Sequence, residues 1–193
     1  MPTFQDSSLP PYPGIDLANV HLVQSATEAG NALAALMDTD AIGFDTESKP
    51  TFSKGEVSTG PHLIQLATDD KAYLFPVTAL QSMDGLRAIL ESAQLLKVGF
   101  GLRDDLRRLQ SKLGIGTANT LDLAIVLRQE KRSDMGAKAA VAHFFGQRLQ
   151  KSRRTSTTNW SSRVLSERQI LYAANDAHVA LRIYRSWQQT QPA

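Results

Sequence analysis

The sequence contains no cysteine, which excludes a disulfide framework, a thiolate nucleophile and any cysteine-ligated zinc or iron–sulfur site. That absence constrains the compartment only weakly, and the cytoplasm is the default expectation. Long apolar runs are also lacking: the longest are a few residues, far short of the ~20 that span a bilayer. The opening MPTFQDSSLPPYPG has neither the basic nor the apolar region of a signal peptide, so a soluble, unexported protein is expected. Histidine is scarce and scattered, at His21, His62, His143 and His178. Net charge is nearly absent too, at +2, a value that by itself suggests no partner.

That near-neutrality conceals an asymmetry. Residues 1–96 hold 4 Lys/Arg against 12 Asp/Glu, and residues 97–193 hold 17 against 7, so an acidic site beside a basic surface is worth seeking. The 193 residues, 42% hydrophobic and 21% charged, suit one globular domain with an ample core. Pro2, Pro10, Pro11 and Pro13 fall in the first thirteen residues, where they remove donors and favour extended backbone. Residues 1–15 are therefore expected to form a flexible or strapped-on Pro-rich arm, with 16–193 as the domain.

Periodicity gives the order of elements. After the short apolar piece Val20–Val23, Ser25 can cap a helix carrying Ala29, Leu33, Leu36 and Met37. Ala41–Asp45, His62–Ala67 and Lys71–Val77 read as strands, with Asp69-Asp70 suited to a tight turn between the last two. Helical spacing follows over 79–92, then the apolar run Leu95–Phe100, a basic helix over 102–112, a short apolar segment at 120–127, and helices around 137–145 and 167–187. Ser166 and Gln169 form a capping box for the last. Three hairpin-like strands followed by alternating helices and strands predict an α/β fold with a mixed sheet covered by helices.

Three places carry chemistry. Asp45 and Glu47 end the first of these strands two residues apart, so both carboxylates point the same way, close enough to bridge a hard divalent cation. Gly99-Phe100-Gly101 starts like a dinucleotide fingerprint, but Asp104 and Asp105 follow where a third glycine belongs. Acids in a first helical turn repel a pyrophosphate and suit the helix dipole instead, which leaves one of them free for other work. Tyr172 and Asp176 lie four apart on the final helix, on one face. His178, two positions on, points elsewhere, and Asp122 is explained as a helix cap.

Taken together, FDTE at 44–47 followed by LIQLA at 63–67, KVGFGLRDD at 97–105 and YAAND at 172–176, with the lead-in Lys151, Ser156, Trp160, Arg163, Leu165, Ser166 and Gln169, resemble the motifs of the 3′–5′ exonuclease superfamily that has an Asp-Glu-Asp-Asp set and a tyrosine in its last motif. Ribonuclease D and the Werner helicase exonuclease domain belong to that group. The resemblance covers roughly residues 20–187, with two departures: Val164 stands where proline is common, and the 155–159 link is slightly long. It implies a ribonuclease H-like fold and a 3′–5′ exonuclease acting on single-stranded ends of DNA or RNA and releasing nucleoside 5′-monophosphates. Asp45, Glu47, Asp105 (rather than Asp104, counting from Lys97) and Asp176 would hold two divalent cations, Mg²⁺ or Mn²⁺, and Tyr172 would orient the attacking water.

The substrate so implied is a polyanion, which gives Lys151, Arg153, Arg154 and Arg103 candidate roles at phosphates. Trp160 and Phe52 are candidate stacking or wedge residues, with core packing the other role open to Trp160. No helicase or helical nucleic-acid-binding domain fits in the remaining length, so a nuclease core standing alone is expected. The competing expectation is a catalytically silent nucleic-acid-binding or interaction module on the same fold.

Overall fold

A computed structural model describes residues 8–51, 53, 55–128 and 134–191; Phe52 and the first seven residues of the arm lie outside them. The chain runs β1 (Val20–Leu22), α1 (Ala26–Met37), β2 (Ala41–Glu47), β3 (Leu63–Ala67), β4 (Ala72–Pro76), α2 (Asp84–Glu91), β5 (Leu96–Gly99), α3 (Arg103–Arg108), β6 (Thr120–Asp122), α4 (Leu123–Val126), α5 (Ala137–Phe145), α6 (Arg153–Ser156) and α7 (Glu167–Gln189). The six strands form one mixed sheet in the order β1-β4-β3-β2-β5-β6. The β2-β3-β4 meander is antiparallel, whereas β5 joins β2, β6 joins β5 and β1 joins β4 in parallel. Among the described residues no helix is long and apolar enough to cross a membrane.

Strand alternation decides what covers each face. Ile42, Phe44, Ile64, Leu66 and Phe75 face α1, α2 and the start of α3, in a cluster with Leu36, Leu86, Leu90 and Leu102. Leu63, Ala67 and Leu74 face the other way, onto Ala173, Ala174 and Ala177 of α7. These alanines bring α7 unusually close to the sheet. A Cβ added to Gly43 would lie 1.9 Å from the Ala177 carbonyl oxygen, so only glycine lets β2 and α7 meet. Gly43→Ala is expected to cost about 2–3 kcal/mol by overpacking, a Tm lower by roughly 5–10 °C in thermal denaturation.

Both capping boxes close: Ser25 with Glu28 starts α1, and Ser166 with Gln169 starts α7. The basic helix is shorter than its periodicity predicts, since after Arg108 it widens into a π-helical turn at Leu109–Leu113 that ends at left-handed Gly114. The segment at 120–127 splits into β6 and α4 at Asp122, whose carboxylate caps Ala124 N at 3.0 Å. Lys97 is fully buried on β5 and donates from Nζ to the Ser92 and Leu95 carbonyls at 2.6 and 2.9 Å. Its charge thus sits at the C-terminal end of α2, where the helix dipole favours it, although burial lowers its pKa from 10.5 to about 8.

Residues 10–15 lie along the body of the domain. Tyr12 N donates to Arg148 O at 2.9 Å, Arg148 N to Pro10 O at 2.8 Å, and Ile15 N to Asn175 Oδ1 at 2.9 Å. Tyr12 stacks on Phe145 of α5, and Ile15 is buried in the α7 cluster.

Candidate active site

Asp45 and Glu47 stand at the end of β2 and face α7, on the side opposite Phe44 and Thr46. α7 crosses that end of the sheet and brings in Tyr172 and Asp176, one turn apart. Lys151, just before α6, reaches the same point: its Nζ lies 2.9 Å from Asp176 Oδ1 and 5.8 Å from the centre of the Tyr172 ring. Asp105 arrives from the other face of the sheet, in the first turn of α3, and accepts a 2.5 Å hydrogen bond from Thr46 Oγ1. Asp104, by contrast, pairs outward with Arg107 and Arg103 at 3.3 and 3.8 Å. Of the two adjacent acids, Asp105 is turned inward and Asp104 to solvent.

The acids feel one another. Burial first, then the charges of Asp176 and Asp105, hold the Asp45 carboxyl well above the usual range. Burial, with Asp45 and Asp176, raises Glu47 from 4.5 to about 9. Burial also raises Asp105, against the Thr46 hydrogen bond and Arg108, and raises Asp176 against Lys151. Burial opposes the charge on Lys151, but Asp176, Asp45 and Glu47 outweigh it, so that its pKa is raised. Tyr172 is pushed up by burial and then by Asp176, Glu47 and Asp45; its hydroxyl stays protonated.

Four acids and one ammonium leave the cluster short of positive charge, and its donors are all oxygens, the chemistry of a hard divalent cation. The residues present thus fit such an ion by charge and donor type. Among the described residues no three carboxylates or imidazoles are gathered in ready coordination geometry; Asp105 accepts from Thr46 and Asp176 pairs with Lys151. A cleft of about 600 Å³ opens beside the cluster, walled by Tyr12 and Gly14 of the arm, Lys151, Arg168, Tyr172 and Asp176. Asp45, Glu47 and Asp105 do not line it.

The remaining candidates divide. Arg153 and Arg154 are exposed on α6, beside Lys151. The Arg103 side chain is 93% exposed at the start of α3. Trp160 is only 2% exposed, donates from Nε1 to Ser156 O at 3.1 Å and packs 6.0 Å from Tyr172. As placed, it has no ring face open to a base and serves as packing behind Tyr172, the second of the roles open to it in sequence.

Three supporting side chains make contacts that the sequence reading does not assign to them. Thr46 holds Asp105. Asn175 ties the arm to α7 beside Asp176 by accepting from Ile15 N and donating to Leu171 O at 2.8 Å. Asp122, read only as a cap, also accepts from Gly101 N and Leu102 N at 2.8 and 2.9 Å, so it fixes the turn that launches α3 and aims Asp105. Its signal lies in the parallel β5–β6 register, where Asp122 stands opposite Gly99, a pairing invisible without the topology.

The family model described as 3′–5′ exonuclease matches residues 20–190. The mouse bifunctional 3′–5′ exonuclease/ATP-dependent helicase WRN is 29% identical over 153 residues, 78% of this chain and 11% of that protein. The Nibbler EXO domain of Aedes aegypti superposes with a TM-score of 0.76 at 28% identity, covering 91% of this chain and 89% of that one. Escherichia coli RNase D, described as an exoribonuclease involved in structured RNA processing, superposes with a TM-score of 0.77 at 26% identity over 89% of this chain and 44% of its own. The chain thus spans about a tenth of the mouse protein, under half of the bacterial enzyme and nearly all of the mosquito domain. With a mixed sheet of the ribonuclease H-like kind and the family match over almost its whole length, the chain belongs to the 3′–5′ exonuclease family of hydrolases.

Proposed function

We propose that this domain removes nucleotides one at a time from single-stranded 3′ ends of DNA or RNA, with Asp45, Glu47, Asp105, Tyr172 and Asp176 as its working residues. The observation that carries this reading is the gathering of four carboxyls, each held above its ordinary pKa by burial, and one protonated tyrosine at the end of β2. Asp45, Glu47 and Asp176 would hold one Mg²⁺ or Mn²⁺, and Asp45 and Asp105 a second. Bound there, the pair would stabilise charge on the attacking and leaving oxygens and make water a better nucleophile.

The water oxygen bonds to the scissile phosphorus as one of its protons passes to solvent, and the P–O3′ bond breaks. The departing O3′ takes up a proton and becomes the new 3′ hydroxyl, and a nucleoside 5′-monophosphate leaves. Tyr172, protonated and locked between Trp160 and Lys151, orients the water by a hydrogen bond. Lys151, 2.9 Å from Asp176, would pair with a phosphate oxygen if a cation took over Asp176. Arg153, Arg154 and Arg103, exposed outside the cluster, would contact the strand's phosphates, so that binding would weaken as salt rises.

The test incubates the protein with 5′-labelled single-stranded DNA and RNA in Mg²⁺, Mn²⁺ or EDTA. A ladder shortening from the 3′ end, abolished by EDTA, is the expected result. Retained strand binding without a ladder on either polymer in either metal would overturn the reading in favour of a silent binding module, which the Lys151–Asp176 pair would then keep closed.

A further inference from the structure

Gln65 lies in the LIQLA segment that follows the first motif, where it is given no role of its own, yet its surroundings call for one. It is fully buried in the middle of β3, and neither Oε1 nor Nε2 has a hydrogen-bond partner. An amide buried in this way forfeits its hydration with nothing in return, and such groups are rare enough to require a reason. Alternation puts Gln65 on the face of Leu63 and Ala67, under α7, where Ala173, Ala174 and Ala177 offer only methyl groups.

The register supplies the reason. Gln65 stands directly opposite Asp45 on β2 and opposite Leu74 on β4. Facing pairs on a sheet keep their Cβ atoms about 5 Å apart, within reach of one hydrogen bond or one intervening water. Along its own strand the flanking same-face residues are Leu63 and Ala67, and across β4 it meets leucine. The polar side chain that directly faces it across the sheet is the carboxylate of Asp45. That carboxylate is engaged on Oδ1 by its neighbour's amide, Thr46 N, at 2.8 Å, which leaves further acceptor capacity.

We infer that Gln65 is a positioning residue for Asp45: its Nε2 donates to the Asp45 carboxylate in the working site, directly or through one buried water, and fixes which oxygen faces an incoming cation. This rests on the exonuclease reading for its consequence in turnover but not for its consequence in cation binding. Groups behind a metal-binding side chain typically change affinity or rate 10–100-fold when removed. Gln65 would do so while costing the fold stability, a combination that a purely structural residue does not show.

Gln65→Met keeps length and volume and removes the amide. Three quantities are measured on wild type and variant: Tm in EDTA, Mn²⁺ affinity by calorimetry, and kcat and KM on a labelled oligonucleotide. The expected result is an equal or higher Tm, Mn²⁺ affinity weaker by roughly 10-fold or more, kcat lower by roughly 10–100-fold and KM unchanged. Gln65→Asn, which keeps an amide one methylene shorter, is expected to regain part of the Mn²⁺ affinity through water. It also decides the matter if the methionine variant fails to fold. Wild-type kcat and Mn²⁺ affinity in a folded methionine variant would overturn the inference and leave the exonuclease reading intact. A wild type that binds Mn²⁺ but makes no ladder would defeat the exonuclease reading, and the affinity comparison would still decide the role of Gln65. A wild type that binds no Mn²⁺ overturns both.

Discussion

Asp45→Ala is expected to lower the exonuclease rate by about 10³-fold or more and, in EDTA, to raise the melting temperature. The two effects share one cause. Burial, Asp176 and Asp105 all oppose the charge on Asp45. Asp45 is also the group proposed to bridge both cations. A bound divalent ion supplies several kcal/mol of transition-state charge stabilisation, and at 1.36 kcal/mol per tenfold a loss of about 4 kcal/mol gives the stated factor. Without metal, the same truncation relieves repulsion on Glu47 and Asp176, so the folded state gains. Single-turnover assays beside thermal melts in EDTA check both. A variant that loses rate and also melts markedly lower would mark Asp45 as structural and remove it from the proposed set.

The sequence announced the acids because each sits at a local landmark. Asp45 and Glu47 end a strand that β-branched and aromatic residues make unmistakable, Asp105 opens a helix after a double-glycine turn, and Tyr172 and Asp176 share one face of a capped helix. Local pattern likewise sufficed for the β2-β3-β4 meander, for Ser25 as the cap of α1 and for the Ser166–Gln169 capping box. What stayed hidden depends on contacts between elements distant in sequence. The pairing of β1 with β4, the use of Asp122 to hold the Gly101 turn, the hold of Asn175 on the arm and the register of Gln65 against Asp45 follow from sheet order, which three- to seven-residue strands do not encode individually. Trp160 shows the converse: its place in the lead-in was legible, but whether its ring met a base or the core depended on the packing of α6 against α7. The charge asymmetry also changed meaning. The acidic half supplies Asp45 and Glu47, while Lys151 of the basic half closes an ion pair with Asp176 inside the site.

Stability of the metal-free protein is expected to fall as pH rises from about 5 to 8, and divalent cations are expected to reverse that fall. The sign follows from Glu47, whose carboxyl is raised from 4.5 in the unfolded chain to about 9 in the fold. Between those values the folded state holds a proton that the unfolded state has released, so unfolding is favoured progressively as pH climbs through the window. Asp45, Asp105 and Asp176 are raised in the same direction and add to the trend. Lys97, lowered to about 8 from 10.5, works the opposite way, but only above pH 8, and the raised pKa of Lys151 acts higher still. Metal requires the deprotonated carboxylates, so its affinity rises over the same window in which the empty cluster weakens the fold. An ion present at one hundred times its Kd adds about 2.7 kcal/mol, a Tm higher by roughly 5–10 °C for a chain of this length. Thermal melts from pH 5 to 8, with EDTA or Mn²⁺, should therefore diverge steadily toward alkaline pH. If the EDTA curve rises through that window, or the Mn²⁺ curve tracks it at every pH, the buried acids are not the uncompensated cluster that the geometry describes.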